Sequence, residues 1–128
     1  VPLNFRGELA VNDDDEIDLK KFGSRIFVDA ARILALTAGT RSVNTVERLH
    51  QAGEAIGLPA QEVAGFAAAF SHILRLRLAQ QSALPDATAL AANGLKPAVL
   101  HDLDRAILRE SLKQARRLQQ RLKLNYSL

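Results

Sequence analysis

The stretch from Ile26 to Ala38 constrains this chain more than any other. Ile26, Phe27, Val28, Ala30, Ala31, Ile33, Leu34, Ala35 and Leu36 would wrap nearly the whole circumference of a helix. A helix apolar on all sides is buried by its neighbours, so the rest of the chain has to surround it. Only Asp29 and Arg32 carry charge inside it, and three residues apart they share a helix face. A charge in such a helix is costly unless paired. The residues therefore predict a partly buried Asp29–Arg32 ion pair, extended by Arg77 or Glu47, that fixes the register of the helices. On that expectation Asp29→Ala strands a buried arginine and costs about 3–5 kcal/mol.

The remaining segments supply partners for this helix. It is expected to begin near Ser24, with the Ser24 hydroxyl as cap, and to end at Gly39. A second helix starts at Asn44, where Asn44 and Glu47 form a capping box, and stops at Gly57. Its apolar face is Val46, Leu49 and Ala52 or Gly53. Pro59 opens a third helix that runs to about Gln81. Phe66, Phe70, Ile73, Leu74 and Arg77 lie on one stripe of it, which places Arg77 at the end of a core-facing row. A fourth helix spans about Asp102 to Lys123, with Leu108, Leu112, Ala115, Leu118 and Leu122 as its core stripe and Leu103 and Ile107 beside it. Ser82 to Leu100, punctuated by Pro85, Asn93, Gly94 and Pro97, reads as a long irregular connection. Before the first helix, Leu9–Val11 and Glu16–Asp18 flank the turn Asn12–Asp15 as a short extended segment or hairpin. The expected fold is all-α: an antiparallel four-helix bundle with an extended N-terminal segment and a long connection before the last helix.

A chain of 128 residues accommodates one domain with one core, here residues 1–128. Asp29 and Arg32 break the best candidate for a membrane span, which needs roughly 18–20 apolar residues, so no membrane partner is expected. Cysteine is absent, which excludes disulfides and thiolate metal sites. The chain opens on Val1 and lacks methionine, so it is expected to be excised from a longer multidomain protein. The Asp13–Glu16 cluster has no glycine at the sixth loop position of an EF-hand and reads as a solvated turn; no metal site is expected.

The excess positive charge is local. Between Asp102 and Lys123 seven Lys and Arg residues face three acids, Asp102, Asp104 and Glu110. Aromatic residues make up 5% of the chain, too few to interleave with such a stripe, which argues against nucleic acid and for a solvated helix face. No catalytic set is visible. Gly23-Ser24 invites comparison with a nucleotidyltransferase opening, but no D-x-D follows about ten residues later to hold Mg²⁺. No Walker loop and no G-x-G-x-x-G is present. His50, His72 and His101 have no partner at i+4.

Five motifs in order carry a resemblance: Asp18-Leu19-Lys20; Val28-Asp29-x-x-Arg32-x-x-Ala35-Leu36; Asn44-Thr45-x-Glu47-Arg48-Leu49; Phe70-x-x-x-Leu74-x-x-Arg77; and Leu103-Asp104-Arg105-x-Ile107-Leu108-Arg109-Glu110. With Pro2-Leu3-x-Phe5 and Leu122-x-Leu124-x-Tyr126 at the ends, the chain resembles the nucleotidyltransferase substrate-binding domain of bacterial CBS-domain and cyclic-nucleotide-binding-domain signalling proteins. That resemblance implies a cytoplasmic signal-transduction protein. Its nucleotidyltransferase domain, similar to the uridylyltransferases of nitrogen regulation, lies in the same chain and uses Mg²⁺ and a nucleoside triphosphate. It implies a non-catalytic module that binds nucleotide or acceptor and closes one wall of the catalytic site. Lys20, Arg25, Asp29, Arg32 and Arg77 are the candidate binding residues; Ser24, Asn44 and Glu47 are read as caps. The alternative is an interaction or dimerisation bundle, a homodimer relaying the state of sensor domains. One departure from the family pattern is Ala79-Gln80-Gln81, where Arg-His-Gln is more usual. Lacking paired metal carboxylates, the isolated domain is expected to transfer no label from nucleoside triphosphates with Mg²⁺ present; label appearing on any acceptor would contradict this.

Overall fold

The computed structural model describes residues 2–4, 6–13, 15–39, 41–82 and 94–126. It is mostly helical. A π-helical turn, Lys20–Ser24, runs directly into α1 (Arg25–Ala38); α2 (Thr45–Ala55), α3 (Ala60–Ser82) and α4 (Asp102–Tyr126) follow. The Ala89–Ala92 part of the long connection lies outside the described residues. Just beyond it, β2 (Gly94–Leu95) pairs antiparallel with β1 (Ile17–Asp18), Ile17 opposite Leu95 and Asp18 opposite Gly94. A 3-10 turn, Pro97–Val99, leads to α4.

The N-terminal segment differs from the expected hairpin. Asn12 does close a turn, its backbone N–H donating to Glu16 O at 2.9 Å while its side-chain oxygen accepts from Glu16 N at 2.9 Å. Ile17 and Asp18 then leave Leu9–Val11 and pair with β2. Leu9 instead bridges to Leu3, and Ala10 N donates to Pro2 O at 2.8 Å. The exchange buries Ile17 and Leu95 together, which a solvent-side hairpin could not do.

Each helix buries one stripe. Phe66, Phe70 and Ile73 of α3 and Leu108, Leu112, Ala115, Leu118 and Leu122 of α4 are buried, as their spacing predicts. Leu103 is not beside that stripe: it is exposed at the first turn of α4. Helix α1 departs most. Phe27, Ala30, Ala31, Leu34 and Ala35 are buried, but Arg25, Asp29, Arg32, Ile33 and Leu36 are exposed. Four alanines make α1 look apolar all round while contributing little area, so a single face suffices for the core. Phe27 meets Phe70 with ring centroids 5.8 Å apart and planes tilted by 54°, a favourable aromatic geometry.

Polar contacts tie the elements at their ends. Arg121 near the end of α4 makes a two-point ion pair with Glu62 in the first turn of α3, Nε to Oε1 at 2.8 Å and Nη2 to Oε2 at 3.1 Å. Gln80 Nε2 donates to Gly94 O, joining α3 to β2. Of the seven cations of α4, Arg105, Arg109, Lys113, Arg116 and Arg121 have partners within the described residues.

Gly39 ends α1 at φ 72°, a left-handed conformation that glycine adopts without strain. Gly53 serves differently. A Cβ there would lie 2.6 Å from Val63 Cγ2, so its absence lets α2 approach α3. Gly53→Ala should overpack this contact by about 1–3 kcal/mol, offset by up to ~1 kcal/mol of helix propensity. The urea midpoint is expected to fall, for a net loss of about 1–2 kcal/mol; a midpoint at or above the parent's would contradict the close approach.

Candidate functional site

The start of the first helix is where structure and sequence expectation part. The Ser24 hydroxyl is not a cap. Ser24 has helical backbone angles and makes no capping hydrogen bond, because the helical turn already begins at Lys20. Asp18 supplies the cap instead: its Oδ1 accepts from Lys20 N at 3.0 Å and Lys21 N at 2.9 Å. The intervening turn is wide, with Ser24 N donating to Leu19 O at 3.0 Å. This π turn carries Gly23 against α3, where a Cβ would meet Ile73 at 3.1 Å.

Ser24 is buried and has a different partner. Arg77 Nη1 donates to Ser24 Oγ at 2.9 Å across the interface between the π turn and α3. Arg77, placed by its stripe at the end of the core-facing row, is half-buried there. Its guanidinium is thus held as an internal bracket.

The predicted Asp29–Arg32 pair does not form. Both side chains are exposed, and none of the ion pairs among the described residues includes Asp29 or Arg32. In water an isolated pair is worth only about 0–1 kcal/mol, which does not offset holding two long side chains in place. Asp29 and Arg32 join Arg25 and Leu36 on one outward row of α1, and Lys20 is exposed at the preceding turn. Four of the five sequence-derived binding residues therefore lie at the outer surface of one continuous helix; Arg77 does not. Asp18 already occupies the Lys20 and Lys21 N–H groups, so an anion near Lys20 and Arg25 meets side chains rather than a free helix N-terminus.

The second helix start follows expectation in part. Asn44 Oδ1 accepts from Glu47 N at 3.1 Å, but the Glu47 carboxylate accepts from Ser42 Oγ at 2.7 Å instead of returning to Asn44 N. Ser42 Oγ accepts from Asn44 N at 3.4 Å, completing the box through one intermediary.

Sequence reasoning missed a cleft of about 280 Å³ where the N-terminal segment and the π turn meet α4. Leu3, Lys21, Phe22, Ile26, Leu112 and Arg116 are among its walls. Lys21 Nζ lies 5.2 Å from the Phe22 ring centroid, and Arg116 Nη2 donates to Leu3 O at 3.1 Å. The outward charged row of α1 does not line this cleft. The described residues contain no group of three or more His, Asp or Glu able to hold a metal ion, and no helix long and apolar enough to cross a membrane.

These features describe a mostly helical module with an outward charged row on its first helix. The chain belongs to the family described as Putative nucleotidyltransferase substrate binding domain, whose sequence profile matches residues 1–126. No curated protein sequence and no solved structure matches the chain.

Ser24 and Asp29 should respond oppositely to truncation. Ser24→Ala removes a buried acceptor from a charged donor and should cost about 1.5–3 kcal/mol. Asp29→Ala, at an exposed unpaired site, should cost under about 1 kcal/mol. Urea midpoints at constant slope measure both; a large loss for Asp29→Ala would restore the ion pair.

Proposed function

We propose that the outward row of α1, with Lys20, Arg25, Asp29 and Arg32, faces a nucleotidyltransferase domain of the same protein and closes one wall of its nucleotide and acceptor site. One observation carries this reading. In a chain whose family is defined by substrate binding, four charged side chains at one end and along one face of a single helix are exposed and, among the described residues, engaged in no ion pair. Charges held outward without internal partners are ready for an external one. The domain's part is positioning, which supplies much of what nucleotidyl transfer asks of a protein apart from its metals. Mg²⁺ and the nucleoside triphosphate would be held mainly by the catalytic domain. A setting among CBS or cyclic-nucleotide-binding sensor domains, in a bacterial cytoplasm, belongs to this proposal.

The helices are proposed to form an antiparallel bundle. Support comes from the order of contacts along α3 and α4: Glu62 meets Arg121, Gly65 lies against Gln114, and His72 lines a hollow with Ala106 and Ile107. Residues ascend on one helix as they descend on the other.

A second reading, self-association, draws on Leu36 and Val43, each 83% exposed. Two such side chains expose on the order of a hundred to a few hundred Å² between them, short of the roughly 1,000 Å² a specific interface needs. It therefore ranks below the first.

In the protein carrying both domains, Lys20→Ala or Arg25→Ala should weaken nucleoside triphosphate binding by about 1–3 kcal/mol. Calorimetric titration measures this, and folding stability should barely change because both residues are exposed. Parental affinity in both variants would remove the nucleotide from this face and move self-association ahead.

A further inference from the structure

The cleft between the N-terminal segment, the π turn and α4 has a composition that its neighbours lack. Its floor is apolar: Leu3 and Leu112 are buried, while Phe22 and Ile26 are half-buried at its wall. Two cations, Lys21 and Arg116, line it, and no carboxylate is among its described lining residues. The adjoining hollow across Pro2 and Lys21 contains Glu16 and Asp18, and the hollow between α3 and α4 contains Glu110 and no Lys or Arg. Of these three spaces, only the first joins an apolar wall to two cations, Lys21 being shared with the adjoining hollow.

Its cations are also pre-placed. The contact with the Phe22 ring holds the Lys21 ammonium at the cleft, at low cost in side-chain entropy. One guanidinium nitrogen of Arg116 is fixed by Leu3 O, which orients the group and leaves N–H donors on the other nitrogens. An arginine fork beside a lysine suits a phosphate better than a single carboxylate, because the fork binds two oxygens and the ammonium a third. A volume of about 280 Å³ is at the lower limit of small-molecule pockets and suits one ring system with its charged group at the mouth.

We propose that this cleft binds a ring-bearing phosphate, the ring against Phe22, Ile26 and Leu112 and the phosphate between Lys21 and Arg116. Mononucleotides and simple aryl phosphates share this chemistry. The site is separate from the outward row of α1, so its failure would leave the docking reading intact, and failure of docking would leave the cleft intact.

Titrating the ¹⁵N-labelled 128-residue chain with adenosine monophosphate, phenyl phosphate, inorganic phosphate and phenol tests it. Saturable shifts are expected at the amides of Lys21, Phe22, Ile26 and Gln119. At least one ring-bearing phosphate should bind about tenfold or more tightly than inorganic phosphate or phenol. Tighter binding of the nucleotide assigns the site to nucleotides, and tighter binding of phenyl phosphate to aryl phosphates; either supports the site. Lys21→Glu and Arg116→Gln should each weaken binding about tenfold or more. Lys21 is exposed, so its variant should keep the fold if Arg116→Gln loses it through the Leu3 contact. Inorganic phosphate binding equally well would reveal a bare anion patch, and phenol binding equally well a bare apolar crevice. Either result overturns the proposal, as does parental affinity in Lys21→Glu or the absence of saturation below about 10 mM.

Discussion

Everything in this fold depends on one face of α1 being buried. Phe27, Ala30, Ala31 and Leu34 form that face; α1 packs on α2 and α4, and Phe27 reaches Phe70 of α3. Helical geometry then leaves no choice about the opposite side. Arg25, Asp29 and Arg32 recur at intervals of four and three residues, so burying the alanine-rich face turns all three outward. The same burial brings the π turn against Ile73 and within reach of Arg77, which makes Ser24 an internal hydrogen-bond acceptor. Core packing thus decides which polar side chains are structural and which are available.

Side-chain size explains which helices were legible in the sequence. The α4 stripe from Leu108 to Leu122 is built of large residues at regular spacing, and every member is buried. The Phe66–Phe70–Ile73 row of α3 is equally clear. Helix α1 misleads because alanine counts as apolar without demanding burial: its exposed Leu36 and half-exposed Ile33 sit among residues whose small area one face can hide. An ion pair inferred from full burial had no reason to form once that face was solvated.

The site was legible only for residues governed by local rules. Asn44 caps α2 as its spacing indicates, because a cap is set within four residues. Ser24 failed the same test because a π turn had started the helix at Lys20, with Asp18 as the acceptor. The pairing of Ile17–Asp18 with Gly94–Leu95, and the meeting of Lys21 with Arg116 in one cleft, depend on contacts between distant segments. Two-residue strands and single cations leave no periodic signal for such contacts.

The central claim is that the outward row of α1 is a contact surface for a nucleotidyltransferase domain. These 128 residues contain no cysteine, and with labelled peptides resolved by mass spectrometry a thiol placed on that row reports its own accessibility in either protein. The direct measurement compares thiol-labelling rates of Arg32→Cys in the isolated domain and in the protein carrying both domains, with Gln120→Cys on the exposed side of α4 as reference. The account predicts labelling at position 32 slowed several-fold by the catalytic domain while position 120 labels at an unchanged rate. Equal rates at position 32 in the two proteins would contradict it.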